Sequence, residues 1–410
     1  MSGRPQIDGP SLLARIEALG RIGALEGGGV CRLALSDEDR RGRDQLVAWM
    51  RELELDVAID HIGNIVGTLA GRRDLAPVMT GSHIDTVATG GLYDGALGVL
   101  AGLEVVAALR KAGITPERPL QVAAFTNEEG SRFAPDMMGS LVYQGDLPLE
   151  TALDTVGIDG TSVRANLERI GYAGPAPVGV GRPHAYLELH VEQGPVLEHE
   201  GIEVGAVTGV QGICWTEFTV TGVSNHAGTT PMVLRHDAGA VFVDIARFVR
   251  TLTQRFGAGQ LGTVGHCRLH PNLINVIPAQ AIFTVDLRNT DKVALDKAEA
   301  ELLAFASEAA AQEGVEIIHR SLARFDPVEF APHLVNLVEA KARALGRSVR
   351  RMPSGAGHDA QIMARICPAA MIFVPSVDGL SHNPAEFTKD ADLIIGAQIL
   401  LDAMFELSAA

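Results

Sequence analysis

With 410 residues, 47% of them hydrophobic, the chain has apolar material for two or three packed domains, and disorder as its main state is excluded. Its 34 Lys and Arg against 50 Asp and Glu leave a formal charge of −16, which repels phosphate backbones and anionic membrane surfaces, so neither nucleic acid nor a membrane is an expected partner. Aromatics make up 5% and glycines number 45, a balance suited to close helix-on-sheet packing rather than to a base-stacking surface.

Cys31, Cys214, Cys267 and Cys367 form no CxxC pair and read as reduced core residues. The opening residues, Met1-Ser2-Gly3-Arg4-Pro5, lack the apolar stretch of a secretory signal. The longest apolar run, residues 96–109, contains Glu104 and falls short of the ~18 residues a membrane span needs. A cytoplasmic location is expected.

Taken in order, the chain starts helical, with Leu12, Leu13, Ile16 and Leu19 on one face, followed by a helix from about Asp37 behind the N-cap candidate Ser36. Arg40, Arg41 and Arg43, set among Asp39 and Asp44, read as a solvated face of that helix. Short apolar runs at 57–59, 65–69, 78–80, 120–125 and 186–191 alternate with helical stretches, notably 97–111, as in a mostly parallel or mixed α/β sheet. From about Gly212 the pattern becomes strand, helix, strand, strand, helix, strand. That β-α-β-β-α-β order describes an inserted ferredoxin-like domain over 212–327, with 1–211 and 328–410 forming one catalytic domain. Trp215 and Phe218 on its first strand face opposite sides.

Chemistry-bearing residues sit at or just after the strand ends, where open α/β sheets bind ligands. His83 closes the first such strand in Gly-Ser-His-Ile-Asp, and Asp85 is placed to accept the second imidazole N–H. Asp94 lies in the turn-rich Gly-Gly-Leu-Tyr-Asp-Gly, and Glu128 and Glu129 follow the 120–125 strand in Thr-Asn-Glu-Glu-Gly. Adjacent glutamates repel unless positive charge is near, and in an extended segment they would point to opposite sides. His190 lies in Glu-Leu-His-Val-Glu-Gln-Gly-Pro, and His382 in Leu-Ser-His-Asn-Pro-Ala-Glu. Such mixed N/O donors suit a pair of Zn²⁺, Mn²⁺ or Co²⁺ ions: Asp94 bridges, His83 and His190 complete one site, Glu129 and His382 the other.

The segments GSHIDTV, GGLYDG, FTNEEGSRF, ELHVEQGP, SNHAGTTPM, NVIP, SGAGHDA and LSHNPAE, in this order over residues 81–386, resemble the M20 group of metal-dependent hydrolases. More narrowly, they resemble its branch of N-carbamoyl-L-amino-acid hydrolases, β-ureidopropionases and allantoate amidohydrolases. His190, where related peptidases carry an acid, favours that branch.

The resemblance implies the metal roles just given, with Glu128 as general base and His226 as an oxyanion-stabilising donor, usually acting in the partner subunit's site. Arg288 resembles the family's carboxylate clamp, Gln193 and Asn275 its hydrogen-bonding companions, and Gly357 a backbone contact to substrate. His358 and Asp359 read as a supporting pair. The implied reaction cleaves the ureido C–N bond of an N-carbamoyl-L-amino acid or N-carbamoyl-β-amino acid, giving amino acid, ammonia and carbon dioxide. Allantoate hydrolysis is the close alternative; a peptidase, or a non-catalytic metal- and amino-acid-binding protein, fits less well. The resemblance also implies a homodimer formed through the inserted domain, which would double as a lid.

Overall fold

A computed structural model of the protein describes residues 4–179, 181–257 and 259–409. The first half contains α1 (Gly9–Gly20), α2 (Asp37–Glu52), β1 (Asp56–Ile59), β2 (Ile65–Leu69), β3 (Val78–His83), α3 (Ala96–Lys111), β4 (Leu120–Phe125), α4 (Met138–Gln144), α5 (Leu149–Leu153), α6 (Val163–Ile170), β5 (Ala185–Val191), α7 (Val196–Glu200) and β6 (Val204–Val210). Next come β7 (Gly212–Thr221), α8 (Ala238–Arg255), β8 (Leu261–His270), β9 (Gln280–Asn289), α9 (Lys292–Glu313) and β10 (Glu316–Phe325). The chain ends with β11 (Val328–Glu329), α10 (Pro332–Ala344), β12 (Val349–Ser354), α11 (Asp359–Met363), β13 (Ala369–Val374) and α12 (Asp390–Ala409). It divides into two compact units: one formed by residues up to Thr208 and from Glu329 on, the other by Gly209–Val328.

The larger unit is built on a mixed sheet in the order β1-β2-β4-β3-β5-β13-β6-β11, with β12 also paired to β6. Its centre is parallel, β3 running with β4 and β5, and β5 with β13, while β2 and β6 flank that centre in antiparallel pairs. Parallel strands need both faces covered, and their sequences are correspondingly buried throughout: β3, β5 and β13 have no exposed residue.

Parity on β5 separates the two faces. Leu189 meets α12, where a Cβ on Gly396 would lie 2.7 Å from its Cδ1, whereas Tyr186 faces Phe125, whose ring packs on Tyr143 of α4. Glu188 and His190 share the parity of Tyr186 and so face the α4 and α11 side. Helix α3 approaches the sheet closely because it carries glycine where a side chain would collide. A Cβ on Gly98 would come within 2.7 Å of the Leu189 carbonyl oxygen.

The smaller unit has an antiparallel sheet in the order β10-β7-β9-β8, with α8 and α9 packed on one face around Phe218, Phe283, Val285 and Leu287. Strict alternation along β9 buries its odd-numbered residues and leaves Thr284, Asp286 and Arg288 on the opposite face. Phe218 is buried and Trp215 is partly exposed, on opposite sides of β7 as their spacing requires.

Two residues depart from the expectations of composition and helix periodicity. Arg43 is buried, its guanidinium satisfied by Asp39, the Gly63 carbonyl and the Thr126 hydroxyl, so the arginine cluster on α2 is only partly a solvated face. Cys267 is exposed on β8, an edge strand whose residues are largely uncovered, and is no core residue.

Candidate metal centre

The ends of the parallel strands bring five expected ligands together. His83 is the last residue of β3, His190 lies one residue before the end of β5, Glu129 follows β4, His382 follows β13, and Asp94 stands two residues before α3. Asp94 faces both ways. Its Oδ1 lies 3.2 Å from His190 Nε2 and 3.6 Å from His83 Nε2, and its Oδ2 lies 3.4 Å from His382 Nε2, which is itself 3.4 Å from Glu129 Oε2. Two triads result, His83–Asp94–His190 and Asp94–Glu129–His382, each with donor atoms within 4.8 Å of one another.

Hydrogen bonds select the state these imidazoles need. His83 Nδ1 is 2.9 Å from the Asp85 carbonyl oxygen and His190 Nδ1 is 2.9 Å from the Val191 carbonyl oxygen. A ring nitrogen facing a carbonyl must carry the proton, so in the neutral ring Nε2 is the nitrogen left to bind a cation, and without a cation a second proton on Nε2 lets each ring donate to Asp94. Gly95, at φ +62°, starts α3 directly against His83: a Cβ there would sit 2.4 Å from the ring.

The electrostatics fit a cation. Burial alone would raise the Asp94 pKa, but hydrogen bonds from His190, His382 and His83 hold it well below the carboxylate range. The Asp94 hydrogen bond in turn lifts His382 to about 9, and burial with the Asp94 charge lifts Glu129 to about 7. Protons on imidazoles and carboxyls thus offset the crowded acids, and divalent ions bound to the same N/O donors would supply that charge instead. The residues present fit two such ions. A third grouping, Glu188–His190–His358, is already committed: Glu188 accepts from Ser82 Oγ, Tyr186 OH and Ala360 N, and His358 Nε2 pairs with Ser354 Oγ at 2.8 Å.

Glu128 and Glu129 diverge, by a mechanism different from strand alternation. Asn127 adopts φ +56°, and Met137, Met138 and Gly139 donate backbone N–H groups to the carbonyls of Glu128, Asn127 and Thr126, closing residues 126–139 into a tied loop. Glu128 Oε2 then lies 3.3 Å from His83 Nε2, while Glu129 turns to Val87 N and His382. Asp85 serves this loop rather than the His83 ring. It is the Asp85 backbone carbonyl that meets His83, and its carboxylate accepts from Glu128 N and Glu129 N, 3.3 Å each. Burial raises the Glu128 pKa well above the usual carboxylate range.

A cavity of about 130 Å³ opens on these groups, lined also by Asp136, Gln193, Ala356, Gly357 and His358. Gln193 Nε2 donates to Asp94 Oδ2 (2.9 Å) and Ser381 Oγ (3.1 Å), so it orients the shared carboxylate. Gly357 lies against Met137, whose Cε would be 3.3 Å from an added Cβ. His358 packs edge-on against His190 at 4.6 Å, and Asp359 is wholly buried with its pKa pushed to about 8 by burial and Glu188; the two make no pair with each other.

Sequence reasoning missed Glu386. Its buried carboxylate accepts from Tyr93 N and Asp94 N, 3.2 Å each, and from Ser381 Oγ, tying the Asp94 loop to the His382 loop. The Gly-Gly before Leu92 was the available signal, since a Cβ on Gly91 would strike Glu386 Oε1 at 2.2 Å.

His226, Asn275 and Arg288 belong to the smaller unit. His226 is exposed, and its Nδ1 accepts from Gly228 N (3.0 Å) and Thr229 N (3.2 Å), so its proton resides on Nε2, available to a ligand. Asn275 is exposed on the facing loop, its carbonyl accepting from Ala227 N. Arg288 is held by Asp286, with Nε 3.1 Å from each carboxylate oxygen and Nη2 2.9 Å from Oδ2, beside the Trp215 ring.

The model of peptidase family M20/M25/M40 matches residues 79–406. The chain belongs to that family. It is 41% identical over 389 residues to an N-carbamoyl-L-amino-acid amidohydrolase of Rhizobium meliloti, covering 95% of this chain and 94% of that one. The allantoate amidohydrolase of Bacillus subtilis is 33% identical over 401 residues, covering 97% of each chain. Among solved structures, an amidase of the hydantoinase/carbamoylase family from Burkholderia multivorans matches with TM-score 0.97 at 43% identity, covering 99% of each chain. Among the described residues of this M20 family member, no helix is long and apolar enough to cross a membrane.

Proposed function

We propose that the protein is an amidohydrolase that cleaves the ureido C–N bond of an N-carbamoyl-L-amino acid or N-carbamoyl-β-amino acid, releasing amino acid, ammonia and carbon dioxide. The observation that carries this reading is the single carboxylate of Asp94 presenting one oxygen to each of two triads, with Glu128 standing outside both.

His83, His190 and Asp94 would hold one divalent ion, and Asp94, Glu129 and His382 a second, with Zn²⁺, Mn²⁺ or Co²⁺ suiting these donors. Bound there, the ions supply Lewis-acid polarisation of the ureido carbonyl, which two nitrogens deactivate by resonance, and acidify water towards a pKa of ~7. Glu128, whose Oε2 lies 3.3 Å from His83 Nε2, takes the proton of the attacking water and passes it to the leaving nitrogen. His226 offers Nε2–H to the developing oxyanion. Arg288, with Asn275, Gln193 and the Gly357 backbone, fixes the substrate, the planar guanidinium fork pairing with its carboxylate.

The surroundings of His226 favour a homodimer. Met232, Val233 and Leu234 on one loop, and Leu273 and Ile274 on the loop bonded to it, are exposed, with Ile274 fully so, and a second copy of the chain would cover this apolar corner. The four cysteines are free thiols, in keeping with the reducing cytoplasm. Allantoate is the alternative substrate, since it carries a ureido group and a carboxylate.

The test is ammonia release by chelator-stripped protein reloaded with Zn²⁺, Mn²⁺ or Co²⁺, using carbamoyl-α-amino acids, N-carbamoyl-β-alanine and allantoate. Turnover of carbamoyl amino acids is expected. Turnover of allantoate alone would move the assignment to the alternative, and no ammonia from any of them would refute it.

A further inference from the structure

The turn between β1 and β2 carries none of the expected metal ligands and does not line the cavity over them, yet its last residue reaches the loop that bears both glutamates. Asp60 shapes this turn by accepting from Ile62 N (3.1 Å) and Asn64 N (2.8 Å), with Gly63 at φ +83°. Strand β2 then pairs with β4 so that Ile65 stands opposite Ala124, which sets Asn64 where β4 runs out into Thr126. The wholly buried Asn64 amide grips the loop at both ends. Its Oδ1 accepts from Thr126 N at 3.0 Å, where the loop leaves β4, and its Nδ2 donates to the Gly139 carbonyl at 3.0 Å, where the loop enters α4. The second Nδ2 hydrogen goes to Asp60 Oδ2 at 2.9 Å and fixes the amide plane. Glycine is needed at 139 for this approach, because a Cβ there would sit 2.3 Å from Asn64 Oδ1 and 2.3 Å from Thr126 N. Between the two grips lie Glu128 and Glu129, whose own N–H groups meet the Asp85 carboxylate at 3.3 Å each.

We infer that Asn64 is a positioning residue for the reaction: by clasping Thr126 and Gly139 it sets where Glu128 meets the attacking water and where Glu129 meets the second ion. This inference rests on the amidohydrolase reading given above for the role of Glu128, and on the two-ion site for that of Glu129. Asn64 touches neither substrate nor ion and takes no proton; it acts through two backbone groups. Misplacing a reacting group by about 1 Å costs about 10²-fold in rate, and groups standing behind metal ligands account for about 10–100-fold in affinity or activity. The first triad does not depend on the clasp, since His83 and His190 lie on β3 and β5 and Asp94 on the segment before α3. Asn275 and Arg288, proposed to hold the substrate, belong to the smaller unit. Loosening the clasp therefore weakens one ion site and leaves the other, and it slows the chemistry while substrate affinity stays.

The experiment compares wild type, Asn64→Asp and Asn64→Ser. The Asp variant keeps the shape and the acceptor for Thr126 N but loses the donor to Gly139, and the Ser side chain is too short to reach both. Three readings are taken on each: ammonia release at saturating metal from the ureido acid of the panel above that wild type hydrolyses fastest, equilibrium dialysis of chelator-stripped protein against graded Zn²⁺, and thermal unfolding. In both variants kcat is expected to fall by about 10–100-fold with KM within about twofold of wild type. The weaker Zn²⁺ step is expected to shift by about tenfold or more while the tighter step stays in place. A side chain that merely stabilises the turn would lower the unfolding temperature and leave kcat and both Zn²⁺ steps as in wild type, and that result overturns the inference. Equal weakening of the two steps, or a rise in KM that accounts for the lost rate, overturns it as well. If Asn64→Ser does not fold, Asn64→Asp carries the same readings. Absence of ammonia from wild type refutes the hydrolase reading, and the dialysis then still decides whether Asn64 governs the Glu129 site.

Discussion

The two triads that share Asp94 are unlike in construction. His83 and His190 sit on strands of the buried centre of the sheet, nearly without solvent exposure, and backbone carbonyls fix both rings. His382 stands on a loop at φ +52° with about half of its side chain exposed, and Glu129 lies in the tied loop after β4. A preorganised, dry triad binds with little reorganisation, whereas ordering a half-exposed imidazole costs free energy on binding. The comparison teaches that, with ions bound, the shared carboxylate would join a tighter site to a weaker, more readily exchanged one.

Removing the shared residue breaks the comparison outright. Asp94→Ala is expected to lose both ions and to fall to the background rate, as read by metal analysis of the dialysed protein together with ammonia release. Glu128→Gln separates chemistry from metal holding: kcat falls by about 10²–10⁴-fold while both ions remain. If ions were lost with it, Glu128 would be a ligand and the division of labour would be wrong. Glu386→Ala probes what ties the halves together, and about 10–100-fold weaker metal binding is expected, with Glu386→Gln less affected because it keeps an acceptor for the Asp94 loop.

A separate effect, away from the metal centre, concerns stability. Asp60 accepts from Ile62 N, Asn64 N and Asn64 Nδ2, yet burial raises its pKa to about 6. Because the folded value lies above that of the unfolded chain, the fold binds the proton more tightly, and stability falls as pH rises from about 4 through about 6, by about 3 kcal/mol at most. Urea unfolding of Asp60→Asn should lack that part of the fall, and an identical pH dependence in wild type and variant would contradict the assignment.

Much of the centre was legible because metal ligands must lie close in space and the parallel strands deliver them at one sheet edge. His83 and His190 stand at strand ends, Glu129 and His382 follow strands, and Asp94 precedes a helix, all in or beside turn-rich segments that a linear reading can detect. What stayed hidden depends on partners remote in sequence. Arg43 looks like a surface residue until Gly63 and Thr126 are seen around it, and Asp85 was assigned to the His83 ring because proximity in sequence suggested it, whereas its carboxylate bridges across to the Glu128 loop. The short helices α4 to α7 escaped the periodicity reading because they carry too few residues to display a period, while β6, broken by Gly205 and Gly209, and β12, carrying Arg350, Arg351 and Pro353, lack the apolar runs that marked the other strands. The held state of Arg288 likewise became visible only when strand alternation put Asp286 on the same face.

The central claim is that the protein holds two divalent ions of unequal affinity through one shared aspartate. Equilibrium dialysis of chelator-stripped wild type and His382→Ala against graded Zn²⁺ tests it most directly. Wild type should bind two ions in two separable steps, and His382→Ala should keep the tighter step and lose the weaker. A single ion in wild type, or loss of the tighter step in His382→Ala, would contradict it.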